Sequence, residues 1–185
     1  MKSIIYSHPI IYKTALKLIY GKEYKKRYRI IAEEIKGRQV LDLCCGDCKL
    51  SEFVPNYKGI DLNRMFISYA KKKGIDAERQ DILKKPIPRS DCIVMQGSLY
   101  HFIPDHEKLL KNMLKSSNKL IISEPWNNLS QSKNRIISGI AKKLSKVSGS
   151  DDKRFTKQDL IALFEKYKAN RIIVMNKDII GVFGK

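Results

Sequence analysis

The chain has 185 residues, 43% hydrophobic and 30% charged, enough for one domain with a substantial core and too few for two ordinary ones. No apolar run approaches the roughly 20 residues that cross a bilayer, so a membrane-spanning protein is excluded as an expectation. The 37 Lys and Arg against 19 Asp and Glu leave a net charge of +18, which fits either an anionic partner or solvated faces in a lysine-rich composition.

The first 20 residues, "MKSIIYSHPIIYKTALKLIY", are broken by His8, Pro9, Lys13 and Lys17, and no small-residue cleavage site follows. They read as part of the fold rather than as a signal peptide, which predicts a cytoplasmic protein. Two helices are expected, over 9–20 and 22–36, parted by Gly21 and ended by Gly37. "RQVLDLC" is a buried strand, followed by a turn and a helical "CKLSEFV". "YKGID" is a second strand, leading into the helix "NRMFISYAKKKG". "IDAERQD" is a weaker third strand and "DCIVMQ" a fourth; the helix "PDHEKLLKNMLKSS" and a fifth strand, "NKLIISEP", follow. Residues 127–154 suggest a helix and a Ser/Gly/Asp loop. "TKQDLIALFEKYK" is a helix capped by Thr156 with Asp159, and "NRIIVMNKDIIGVFGK" is a pair of antiparallel strands. Strands alternating with helices predict one α/β domain over 1–185, its sheet covered on both faces.

In such a sheet a ligand sits beyond the carboxyl ends of the strands, where the strand order reverses. "LDLCCGDC" occupies that place on the first strand, and Gly46 there can adopt a backbone closed to other residues. A helix starting at this loop would point free N–H groups into the crevice. Asp42 lies in the first strand. Asp61 closes the second, where a carboxylate can accept both hydroxyls of a ribose, and Asp81 follows the third, where it can accept from an adenine amino group.

On these residues the chain resembles the class I S-adenosylmethionine-dependent methyltransferases over 37–185. The resemblance implies a Rossmann-like, doubly wound, mostly parallel seven-stranded sheet with an antiparallel last strand and N-terminal helices. It implies S-adenosyl-L-methionine as cofactor: Asp42, Cys44, Cys45 and Gly46 toward its methionine half, Asp61 and Leu62 toward the ribose, Asp81 and Ile82 toward the adenine, and Gln96 alongside. The family's loop reads like LDLGCGTG, so Cys44 and Cys48 stand where it has glycine. Cys48 would then need a backbone conformation open to residues with a Cβ.

Cys45 and Cys48 also form half of a zinc pattern or a redox pair, but no second pair completes four ligands, so no metal is expected. The acceptor would lie beyond the fourth and fifth strands. There His101, whose ordinary pKa is near neutral, is the candidate base and Tyr100 the candidate for orienting the acceptor. His101 as a helix cap, and Trp126 as either acceptor wall or gap filler, stay open. "QGSLYHF" after the fourth strand is similar to small-molecule methyltransferases, while "SEPW", like a base-gripping motif, follows the fifth strand instead. A small-molecule acceptor is therefore expected. The alternatives are an RNA or protein acceptor on the basic surface, and a nucleoside-binding domain without catalysis. Residues 1–36 would form a lid, through Tyr20, Tyr24, Arg27 or Tyr28, or else an amphipathic helix with a solvated face; 127–154 would cap the substrate.

Overall fold

The computed structural model describes residues 9–21, 23–126 and 154–184. Two helices, α1 (Pro9–Tyr20) and α2 (Glu23–Ile35), precede β1 (Val40–Leu43), β2 (Tyr57–Asp61), α3 (Arg64–Lys72), β3 (Ala77–Arg79) and β4 (Ser90–Gln96). Then come α4 (His106–Ser116), β5 (Ser117–Pro125), α5 (Lys157–Lys166), β6 (Arg171–Val174) and β7 (Asp178–Gly184). The helix and loop expected over 127–154 lie, but for Arg154, outside the described residues.

The seven strands form one sheet in the order β3-β2-β1-β4-β5-β7-β6. β1 to β5 pair in parallel, and β7 runs antiparallel between β5 and β6. The order reverses between β1 and β4, which places a crevice at their carboxyl ends.

Alternate side chains of the central strands divide the core. Val40, Cys92, Val94, Ile121, Ile180 and Val182 face one side, where they pack with Ile19, Tyr20, Tyr24, Tyr28, Ile31 and Ile35 of α1 and α2. Leu41, Leu43, Ile93, Met95, Ile122 and Phe183 face the other, against Leu109, Leu110 and Met113 of α4 and Leu160 and Phe164 of α5. Helices on both faces make continuous apolar strands possible, as the sequence shows at "LIIS" and "CIVM". The cap of α5 forms as its sequence predicts. Thr156 Oγ1 accepts from Asp159 N–H, and the Asp159 carboxylate accepts from Thr156 N–H at 2.8 Å.

One predicted element is much shorter than expected. "CKLSEFV" yields a single 3-10 turn over Lys49–Glu52 instead of an α-helix. Cys48 enters it in a left-handed conformation, at φ +55°, and Phe53 leaves it by bonding back to Leu50 O. No α-helical N-terminus therefore faces the crevice from this loop.

Candidate functional site

The loop after β1 turns on three residues with positive φ: Cys44 at +57°, Gly46 at +55° and Cys48 at +55°. The two cysteines thus keep the left-handed backbone that suits glycine, and Cys48, at φ +55° and ψ +33°, lies in the small left-handed region that a residue with a Cβ can still enter. The turn is held by backbone bonds: Cys45 N–H donates to Ile60 O, and Cys48 N–H to Cys45 O at 2.9 Å. The Cys45 thiol fills space that Gly59 leaves open on β2, where a Cβ would lie 2.8 Å from Sγ. Cys48 Sγ sits 3.4 Å from Cys45 Sγ, and both are buried; the contact with Cys48 first, and then burial, push the Cys45 thiol well up. Among the described residues no group of three or more His, Cys, Asp or Glu side chains is placed to hold a metal.

Asp61, at the end of β2, ties this loop to the sheet. Its Oδ2 accepts from Gly46 N–H at 2.8 Å and its Oδ1 from Asn63 N–H at 2.7 Å, leaving further lone pairs on both oxygens. Asp42 is buried at 2% exposure and accepts from the Tyr57 hydroxyl at 2.9 Å. Burial, reinforced by the nearby charges of Asp61 and Asp47, pushes its carboxyl up to about 7. Glu124, fully buried near the end of β5, accepts from Ser98 and Leu99 N–H at 2.7 and 2.8 Å and so fastens the segment after β4. Burial lifts it to about 7 as well, against the pull of those donors. Its other oxygen, and Gln96 Oε1, are buried without a hydrogen-bond partner among the described residues. Asp81, in the turn after β3, accepts from Leu83 N–H at 3.0 Å; Leu62 beyond β2 is 56% exposed, and Ile82 is half-buried.

The structure thus gathers Asp42, Cys44, Cys45, Gly46, Asp61, Asp81 and Gln96 along one edge of the sheet. Sequence reasoning missed Glu124, Tyr57, Gly59 and Tyr12. Tyr12, on α1, covers the loop: a Cβ on Gly46 would lie 3.4 Å from its ring, which also packs on Phe66 at 5.1 Å. The spacing Tyr12, Ala15, Leu16, Ile19 carries that signal, and a glycine inside "YKGID" signals the close approach at Gly59. Arg27, by contrast, is committed elsewhere. Buried between the rings of Tyr20 and Tyr28, it pairs with Asp178 at 3.6 Å and donates to the Tyr28 hydroxyl at 3.1 Å.

Tyr100 and His101 lie on a 3-10 turn, Leu99–Phe102, just past β4, with their rings 3.9 Å apart. Burial first, and then the charge of Arg154, push His101 down to about 4. The sequence-based expectation of a near-neutral value does not survive that environment. Arg154 lies over the Tyr100 ring at 4.1 Å and Lys157 over the Trp126 ring at 5.6 Å, while the Trp126 indole donates to Met175 O at 3.0 Å.

A sheet ordered 3-2-1-4-5-7-6, with a glycine loop after β1 and an acid closing β2, is the Rossmann-like fold of the class I methyltransferases. The chain belongs to the family described as methionine biosynthesis protein MetW, whose family model matches residues 25–154. It is 32% identical over 114 residues to the ubiquinone biosynthesis O-methyltransferase of Coxiella burnetii, covering 52% of this chain and 48% of that protein. It therefore spans about half the length of the curated relatives it matches. Among solved structures, magnesium protoporphyrin IX methyltransferase (ChlM) from Synechocystis PCC 6803, with bound SAH, superposes with a TM-score of 0.58 at 14% identity, over 91% of this chain and 92% of that one. The 16S rRNA methyltransferase RmtF, in complex with S-adenosyl-L-homocysteine, does so with a TM-score of 0.57 at 15% identity, over 92% and 64%. The fold is common to both.

Proposed function

We propose that the protein is an S-adenosylmethionine-dependent methyltransferase acting on a small molecule. The observation that carries this is the set of carboxylates at the crevice. Asp42, Asp61 and Glu124 are all raised by burial, and none of them forms an ion pair among the described residues. Such a cluster favours a ligand carrying positive charge. The residues fit S-adenosylmethionine, which has a sulfonium and an ammonium against one carboxylate. Asp61 keeps acceptor capacity for ribose hydroxyls with Leu62 beside it, Asp81 and Ile82 offer a polar and an apolar contact for adenine, and Gln96 Oε1 and the loop 44–46 would meet the methionine half. When bound, that cofactor supplies a methyl group on an activated sulfonium.

The chain's own residues do the rest. α1 covers the loop through Tyr12 and acts as the lid on this edge. His101 is neutral at physiological pH and accepts a proton from the acceptor hydroxyl, with Tyr100 orienting it. A hydroxyl acceptor is supported by the name of the curated relative, an O-methyltransferase. The four cysteines are unpaired thiols, in keeping with a reducing, cytoplasmic setting, and no described helix is long and apolar enough to cross a membrane.

Isothermal calorimetry tests the reading. S-adenosylmethionine and S-adenosylhomocysteine should both bind. Asp61→Ala should weaken them by about 1–3 kcal/mol, because the ribose loses a charged acceptor and Gly46 its anchor. Absence of heat with either compound overturns the proposal.

A further inference from the structure

Cys45 and Cys48 meet as a pair inside the loop after β1. Their sulfurs lie 3.4 Å apart, and among the described residues no third His, Cys, Asp or Glu joins them to hold a metal. The turn between them is closed by Cys48 N–H, which donates to Cys45 O at 2.9 Å. A turn bonded between its first and fourth residues keeps their Cα atoms within about 7 Å, the span a disulfide needs. Cys45, at 9% exposure against 1% for Cys48, is the more accessible of the two. Their protons have a route away. The Tyr57 hydroxyl lies beside Cys48 and donates to Asp42 Oδ2 at 2.9 Å, and the Asp42 carboxyl, pushed up to about 7 by burial, takes up a proton near neutral pH. Thiols this close also titrate as a unit, the one that keeps its proton donating to the thiolate of the other.

We propose that Cys45 and Cys48 form a reversible dithiol–disulfide site, oxidised by hydrogen peroxide, that loosens the hold of this loop on the cofactor. The Cys45 thiolate attacks the peroxide, the O–O bond breaks, and one water leaves as a sulfenic acid forms. The Cys48 thiolate attacks that sulfur; the S–S bond forms, the S–O bond breaks and a second water leaves, the two thiol protons departing in these waters. Two thiols are oxidised and one peroxide is reduced to two waters. A thiol reductant reverses the change. Closure draws the two sulfurs together by about 1.4 Å, since a disulfide spans about 2.05 Å. The Cys45 side chain fills the hollow over Gly59 and its N–H is bound to Ile60 O, so it moves only if the turn moves. Gly46, the next residue, is tied to Asp61 Oδ2. The disulfide thus pulls on both the loop and its anchor. Its formation stands apart from the methyltransferase reading; only the effect on cofactor affinity rests on that reading.

Reduced protein is exposed to millimolar hydrogen peroxide, freed of it by gel filtration, and its thiols are counted in denaturant. The count should fall from four to two, with fragmentation of the tryptic peptide 39–49 placing the new bond between Cys45 and Cys48. Calorimetry with S-adenosylhomocysteine should show affinity at least threefold weaker in the oxidised protein and restored by dithiothreitol. Cys45→Ser and Cys48→Ala should each lose the reversible change and Cys92→Ala should keep it, with the thermal transition as a check on folding. Four thiols remaining after peroxide, a bond to Cys44 instead, or equal affinity in the oxidised and reduced forms overturns the proposal. If the reduced protein itself fails to bind S-adenosylhomocysteine, the methyltransferase reading falls, and the thiol count still decides the disulfide.

Discussion

Asp42 and Glu124 hold their protons to about pH 7 in the folded chain, whereas free carboxyls lose them near pH 4. Between those limits the folded protein binds more protons than the unfolded one, so rising pH removes stability that is fully present below about pH 4. A cationic ligand reverses the preference and favours the ionised carboxylates. Binding of S-adenosylmethionine should therefore release protons and tighten from pH 6 to pH 8. Calorimetry in phosphate and in Tris, whose ionisation heats differ, should show the release. It should be smaller in Asp42→Asn and smaller for S-adenosylhomocysteine, which lacks the sulfonium. Equal heats in the two buffers would contradict it. At this scale the sequence marks the acids well, since an acid after each strand is visible in the order of residues. Their protonation is not legible there, because burial by distant segments sets it: Asp42 owes its shift to the helices laid over β1, and His101 owes part of its own to Arg154, far along the chain.

At the level of elements, the loop after β1 places cysteines at two of its three left-handed positions. A left-handed conformation costs a residue with a Cβ about 1–2 kcal/mol, and burial of the Cys48 thiol offsets part of that. Cys48→Gly should accordingly change stability by less than about 1 kcal/mol and leave cofactor affinity within about threefold, strain relief balancing the lost packing. Cys48→Val, branched at Cβ, should cost about 2–3 kcal/mol and weaken binding clearly, since it can neither adopt the turn nor fit beside Cys45. Urea unfolding and calorimetry on both variants check this; equal behaviour would show that the left-handed turn is not needed. The alternation of strands and helices was legible because each has its own hydrophobic period. The helix expected from "CKLSEFV" was not borne out: its apolar residues have helical spacing, but a tertiary constraint, the left-handed entry at Cys48, limits it to a single turn.

Across the whole molecule, the tie between α2 and β7 stands out. Arg27 and Asp178 are 4% and 1% exposed, and Tyr20 also donates to Asp178 at 3.2 Å. Arg27→Met should destabilise the protein by about 3–5 kcal/mol, because it strands a carboxylate in the core; adding Asp178→Asn should restore much of the loss. Chemical denaturation of the single and double variants decides it, and additive losses would refute the coupling. Sequence reasoning saw helices at the start and strands at the end but could not see them meet, since nothing local links positions so far apart. That meeting also sets a schedule for synthesis. A ribosome adding about 5–20 residues per second needs roughly 8–30 s to travel from Arg27 to Asp178, and β6 stays unjoined to the sheet until β7 is made and slots between it and β5. Throughout that interval the tyrosine-rich faces of the first two helices wait outside any finished core, so the newborn chain offers chaperones an aromatic handle, Tyr20, Tyr24 and Tyr28, that the mature protein buries.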